Sequence, residues 1–113
     1  MGGDNPDGLL RDWIDNAVAP LQTNATVTCH TTFFARRRSR AEICRESLLA
    51  DGYYCSSVEQ RRKDYRFQVT ITVPVSERSD LVSALYTLEK VGDSCGMQGE
   101  SHELRDSTGR VLR

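Results

Sequence analysis

Side-chain chemistry needs nucleophiles, bases, metal ligands or concentrated charge, and this chain supplies them unevenly. Its thiols are Cys29, Cys44, Cys55 and Cys95, and its histidines are His30 and His102. A nucleophilic centre needs a Ser or Cys held by a base that a third group orients. Cys29 adjoins His30, but neighbours on a strand point to opposite faces and cannot pair directly. Cys29 therefore reads as a small buried hydrophobe. No Gly-x-Ser-x-Gly elbow is present, and no P-loop, dinucleotide fingerprint or EF-hand. The Cys and His spacings are too wide for a zinc finger or ribbon, and no Cys-x-x-Cys pair occurs. Glu100 and Glu103 are the nearest approach to paired carboxylates, and they fall in a loop and an edge strand with nothing to raise a pKa. The expectation is no enzyme, no metal site and no cofactor.

Positive charge, by contrast, is concentrated. Arg36-Arg37-Arg38-Ser39-Arg40 and Arg61-Arg62-Lys63 hold seven of the 15 Lys and Arg residues in a chain of net charge −1. With so little net charge, no global field draws the protein to nucleic acid or anionic lipid, so any attraction is local. These seven cations, with Trp13, are the candidate partner-binding residues.

The elements that must position them follow from periodicity. Residues 1–8, rich in Gly, Asp, Asn and Pro, form a lead-in. Leu9, Leu10, Trp13, Ile14 and Val18 recur on one helical face, with Asp7 to cap that helix and Pro20 to stop it. Such a helix either packs on the domain or serves as a docking or dimerisation helix. Asn24 to Phe34 is β-branched and aromatic, which predicts a strand. It carries Val27, Cys29, Thr31 and Phe33 on one face and Thr26, Thr28, His30 and Thr32 on the other. Ser39-Arg40-Ala41-Glu42 has the form of a capping box. The helix it opens runs to about Ala50, buries Ala41, Cys44 and Leu48, and reverses at Gly52.

Tyr53 to Glu59 reads as a second strand and Gln60 to Asp64 as a charged turn. Tyr65 to Val75 alternates Tyr65, Phe67, Val69, Ile71 and Val73 with Arg66, Gln68, Thr70 and Thr72, the pattern of a half-buried strand. Pro74 and Ser76 open a second helix with Leu81, Val82, Leu85 and Leu88 inward, and Gly92 ends it. Ser101 to Arg105 makes a last short strand. The domain boundaries are 1–22 for the lead-in and helix, 23–106 for the α+β domain and 107–113 for a flexible tail. The order βαββαβ predicts a ferredoxin-like sandwich, with a four-stranded antiparallel sheet and two helices on one face. That topology sends both arginine-rich segments to one end of the sheet, where a helix N-terminus adds its positive dipole end. The basic end suits RNA phosphates or an acidic protein surface; read otherwise, it is two solvated loops.

At 113 residues, 38% hydrophobic and 27% charged, the chain suits one globular domain that folds without cross-links. No stretch approaches the ~18 consecutive apolar residues of a membrane span. The first residues have neither a basic region nor an apolar core of a secretory signal, and Pro6 stands where a myristoylation motif wants Ser or Thr. The expectation is a soluble cytoplasmic protein with reduced thiols. The alternative is a mature secreted chain with disulfides, which the Asn24-Ala25-Thr26 sequon would fit.

Two module types share the βαββαβ order. RNA-recognition motifs carry a basic–Gly–aromatic–x–aromatic signature on the third strand, which Lys63-Asp64-Tyr65-Arg66-Phe67 imitates with Asp64 in place of glycine. Acylphosphatase-like enzymes use a glycine-rich phosphate loop that Arg36–Arg40 does not reproduce. Thr28–Phe34, Leu48-Leu49-Ala50-Asp51-Gly52-Tyr53, Asp64–Thr72 and Leu81–Val91 together resemble the ribonuclease E inhibitor family (regulator of ribonuclease activity B), over residues 27–105. Where that family has a Gly-rich turn followed by Tyr-Asp-Gly-Trp, this chain has Gly96-Met97-Gln98-Gly99-Glu100, and it lacks the long acidic segments. The resemblance implies a ferredoxin-like protein that binds a ribonuclease and alters its cleavage without chemistry of its own. The functional expectation is a regulatory or adaptor module for a protein partner. Its alternatives are single-stranded RNA binding at the basic edge, and a small enzyme with an arginine-rich anion loop.

Overall fold

The strict alternation of two long segments produces the spine of the molecule. In the computed structural model, which describes residues 6–112, strand β1 (Thr26–Ala35) pairs antiparallel along its whole length with β4 (Asp64–Pro74). On its other side β1 pairs antiparallel with β5 (Gly99–Asp106). The order is β2 (Tyr54–Cys55), β4, β1, β5 and β6 (Val111–Leu112), with β3 (Glu59–Arg61) also on β4, which makes a six-stranded antiparallel sheet. Three helices accompany it: α1 (Pro6–Val18), α2 (Arg38–Ala50) and α3 (Arg78–Ser94). The fold is α+β, and no helix among the described residues is long and apolar enough to cross a membrane.

The register keeps like with like. Cys29 faces Ile71 and Leu104, Thr31 faces Val69, and Phe33 faces Phe67. These inward residues share one core with Ile14, Ala17 and Val18 of α1, Ala41, Cys44 and Leu48 of α2, and Leu81, Val82, Leu85 and Leu88 of α3. Phe33 and Phe67 stack with ring centroids 5.3 Å apart, within the range in which aromatic pairs contribute beyond their buried area. The other face, with Thr28, His30, Thr32, Gln68 and Thr70, is polar and carries no helix residue of the core. Cross-strand contacts knit it together, among them Thr28–Thr72 at 2.8 Å and His30 Nδ1–Thr70 at 3.2 Å.

Several expectations are corrected. Ser39 does not cap α2: the helix starts two residues earlier than that cap would give, at Arg38, Arg37 holds the cap position without a side-chain bond, and Glu42 pairs with Arg38 at 3.3 Å. With Ser39 already inside the first turn, Glu42 has no serine N–H to reach back to and instead makes an exposed i,i+4 pair with Arg38. The predicted second strand is split, because the chain leaves β4 after Cys55 and rejoins it at Glu59, so Gln60 and Arg61 are strand rather than turn. Pro74 still belongs to β4, and a 3-10 turn over Val75–Glu77 separates it from α3. Gly92 does not end α3. A Cβ there would lie 2.8 Å from the Phe33 ring, so this glycine lets the helix lie close on the aromatic stack. The helix runs on to Ser94, and Gly96, with φ +75°, makes the left-handed reversal. Within the expected tail, Val111 and Leu112 form β6 against Arg105 and Leu104. Leu112 has apolar surface to cover, and packs against the core. Gly52, with φ +92°, does reverse the chain after α2. Leu9, assigned to the apolar stripe of α1, is instead 68% exposed. Of the lead-in expected at 1–8, residues 6–8 belong to α1 instead, because the helix already starts at Pro6; residues 1–5, the Asp7 side-chain cap and the last residue of the tail lie outside the described residues.

All four cysteines are free thiols, and three are buried. Burial pushes the Cys29 thiol up to about 11. Cys44 is pushed up to about 12, first by burial and then by the adjacent Cys95 and Cys55 thiols. The thiolate is the reactive form, so relative to an ordinary value of 9.0 Cys29 carries roughly 100-fold less of it at neutral pH. With an aromatic disulfide reagent at pH 8, the half-exposed Cys95 is expected to react first. Cys29 and Cys44 should react only when urea unfolds the chain. Rapid modification of either buried thiol in the folded protein, located by peptide mass, would contradict this packing.

Candidate functional site

The two basic segments leave the sheet at the same end. Ala35 is opposite Tyr65, and Arg61 is opposite Asp64 on the next rung, so the Arg36–Arg40 segment begins beside the β3–β4 hairpin. Arg36, Arg37, Arg38, Arg40, Arg61, Arg62 and Lys63 are all exposed. Among the described residues only Arg38 of the seven has an ion-pair partner, Glu42. Arg40 lies along the C-terminal reversal of α3, where a Cβ on Gly96 would be 3.5 Å from its guanidinium. Arg62 turns the hairpin with φ +56°, a left-handed conformation that costs a non-glycine residue roughly 1 kcal/mol.

Trp13 is not part of this cluster. It packs against the core on the helix-covered side, its ring 6.2 Å from that of His102. Its neighbours Ile14, Ala17 and Val18 are buried, and Asp15 accepts from Arg78 Nε at 2.7 Å. The amphipathic stripe of α1 is largely spent inside the domain.

A groove of about 320 Å³ opens beside the basic hairpin on the polar face, lined by Thr32, Ser56, Glu59, Arg61, Arg66, Phe67 and Gln68. A β-bulge creates it. Between Cys55 and Glu59 the chain advances four residues while β4 passes three, Val69 to Arg66. One extra residue reverses the alternation of side chains. Glu59 and Arg61 thereby share the polar face with Arg66, while Val58 packs against the core. The groove floor is held by Ser56, whose N–H donates to the Gln68 carbonyl while its Oγ accepts from the Gln68 N–H, each at 2.8 Å. Arg66 lies 5.8 Å from the centroid of the Phe34 ring, and its contact with Asp64 is a loose 3.7 Å. Of these groove residues Arg61 is the one the sequence offers as a binding residue; Thr32, Arg66 and Gln68 read from sequence as the polar face of the sheet, either simply its wet side or a partner platform, and Ser56 and Glu59 carry no signal. The bulge depends on the register in which the two arms of this hairpin pair, and single-strand alternation carries no trace of it.

A third feature lies inside. Thr31 Oγ1 is 2.8 Å from His102 Nδ1, and His102 Nε2 is 2.9 Å from Glu89 Oε2. Every atom is satisfied when the Thr31 hydroxyl donates to Nδ1 and Nε2–H donates to Glu89. The order hydroxyl, imidazole, carboxylate is that of a nucleophilic relay. Thr31, however, is 0% exposed and lines neither of the described cavities, so no substrate reaches its oxygen. The chain instead satisfies a buried hydroxyl. Its one sequence signal was a threonine on the apolar face of β1.

Glu100 differs from its sequence reading. Its carboxyl is raised above the usual range by partial burial, then by the charges of Glu89 and Asp93, against an opposing effect of His102. Among the described residues no three His, Cys, Asp or Glu side chains gather as a metal-binding group. No family model matches the chain, and no curated protein matches it either.

Two measurements check the interior. Thr31→Val keeps the shape but leaves His102 Nδ1 without a donor, and is expected to cost about 1–3 kcal/mol in urea unfolding; a neutral result would mean that the bond contributes little. Glu100 binds its proton more readily folded than unfolded, so ionising it opposes folding and stability from this group falls as pH rises through its range. Glu100→Gln is therefore expected to raise Tm at pH 7, with the gain vanishing as pH falls below the ordinary carboxylate value of 4.5. A gain that persists in acid would rule out charge as its cause.

Proposed function

We propose that the protein is a cytoplasmic, non-enzymatic regulatory or adaptor module that binds a protein partner through the basic end of its sheet. The observation that carries this reading is the cluster of seven exposed cations, six of them without an ion pair among the described residues, at one end of a chain of net charge −1. Solubility alone needs no such asymmetry. Arg62 adds weight, because it keeps a long cationic side chain where the backbone favours glycine. The strand order supports a ferredoxin-like core: β5, β1, β4 and β2 fill its four positions, with β3 and β6 as additions. The likeness to the ribonuclease E inhibitor family makes a ribonuclease the first partner to try, one whose cleavage the module would modulate. Four unlinked thiols suit a reducing compartment.

A second reading is single-stranded RNA, favoured by Phe34 with Arg66 near its ring and by Tyr54, 74% exposed on the same face. Bases stack on such rings, and the arginines would meet phosphates.

Salt and charge variants separate the two. Replacing Arg36, Arg37, Arg38, Arg61 and Arg62 by Ser is expected to weaken capture of the partner from lysate more than ~10-fold while the circular dichroism spectrum stays unchanged. Capture that survives RNase digestion supports the protein reading. Capture lost on digestion, with steep salt dependence, would put RNA first. Binding unaffected by the five substitutions would remove the basic end from the reading.

A further inference from the structure

We propose that the groove beside the β-bulge receives a single carboxylate side chain from an acidic segment of the partner, held between Arg61 and Arg66; this rests on the basic-end reading and extends it. The groove is continuous with that end, since Arg61 belongs to both. Its volume of about 320 Å³ lies at the small end of ligand sites and suits a side chain better than a nucleotide. Two guanidiniums and the Glu59 carboxylate leave the lining with one net positive charge, the complement of one carboxylate. A phosphate dianion would meet Glu59 as a repulsive wall. Guanidinium groups bind carboxylates through paired N–H donors, and the Thr32 and Ser56 hydroxyls and the Gln68 amide line the same groove.

Without the extra residue, Val58 would be opposite Arg66, and Glu59 and Arg61 would turn to the core face. The inserted residue is thus what assembles the charged walls, in keeping with the role of bulges in re-aiming side chains at sites. Arg66 is held over the face by the Phe34 ring and only loosely engaged by Asp64, so it can turn to a ligand without breaking a tight pair.

The test is an amide-resolved NMR titration of the full chain at low salt with an acetylated, amidated oligoglutamate peptide. Inorganic phosphate and an oligouridylate are titrated in parallel. The expected result is movement of the Thr32, Ser56, Glu59 and Gln68 amides with the peptide. Arg66→Gln should weaken peptide binding about 10-fold, and Glu59→Gln should tighten it several-fold. Each variant is checked first for an unchanged free spectrum. Shifts confined to residues 36–40, 62 and 63, with the groove amides still, overturn the groove and leave the basic-end reading standing. No shift anywhere overturns both. Groove shifts with phosphate or oligouridylate but not with peptide overturn the carboxylate assignment.

Discussion

The pairing of β1 with β4 is the constraint on which the rest depends. Ten consecutive rungs, from Thr26–Pro74 to Ala35–Tyr65, run without interruption. Because side chains alternate with a period of two, a slip of one residue would send Phe67 and Val69 to water and Arg66 and Gln68 into the core. The Phe33–Phe67 stack lies on this pairing, and α3 lies close above it because Gly92 has no Cβ. One register thus fixes the core, the closeness of the helix layer and the polar character of the open face.

The features able to bind something lie at the end of that spine, where regular pairing stops. β1 runs out at Ala35, and the partner strand of β4 is short and bulged. Exposed cations there cost little, since their heads stay in water. The bulge and the left-handed Arg62 both depart from ideal strand geometry, and both lie within this small region. Departures of that kind cluster where side chains are aimed at something outside the chain.

Polar groups inside the core follow a different logic. Thr31 sits at full burial, and His102 and Glu89 supply the partners that keep its hydroxyl from being an unsatisfied cost. Trp13 of α1 lies beside the imidazole, the rings 6.2 Å apart and tilted. The N-terminal helix therefore belongs to the body of the domain: it buries Ile14, Ala17 and Val18 and sets Trp13 beside His102. The buried thiols behave as small hydrophobes, each pushed away from ionisation by its surroundings.

The sequence by itself determined the spine, the inward faces of both helices and the clustering of cations. Alternation and helical spacing are local patterns that burial enforces residue by residue. Thus Val27, Cys29 and Phe33, and likewise Ala41, Cys44 and Leu48, were legible as core. The helix and strand ends were less so. At Gly92, a glycine chosen for closeness to a ring has the same letter as one chosen to turn the chain. At Ser39, a capping sequence falls inside the first turn, because the helix starts at Arg38. Only the tertiary structure decided the bulge, the groove and the Thr31–His102–Glu89 chain. Each depends on how separate elements pair rather than on a local pattern: Glu59 on Arg66 across the hairpin, Thr32 of β1 beside Ser56, and Thr31, His102 and Glu89 from three elements. The energy that brings them together is that of the whole packed register.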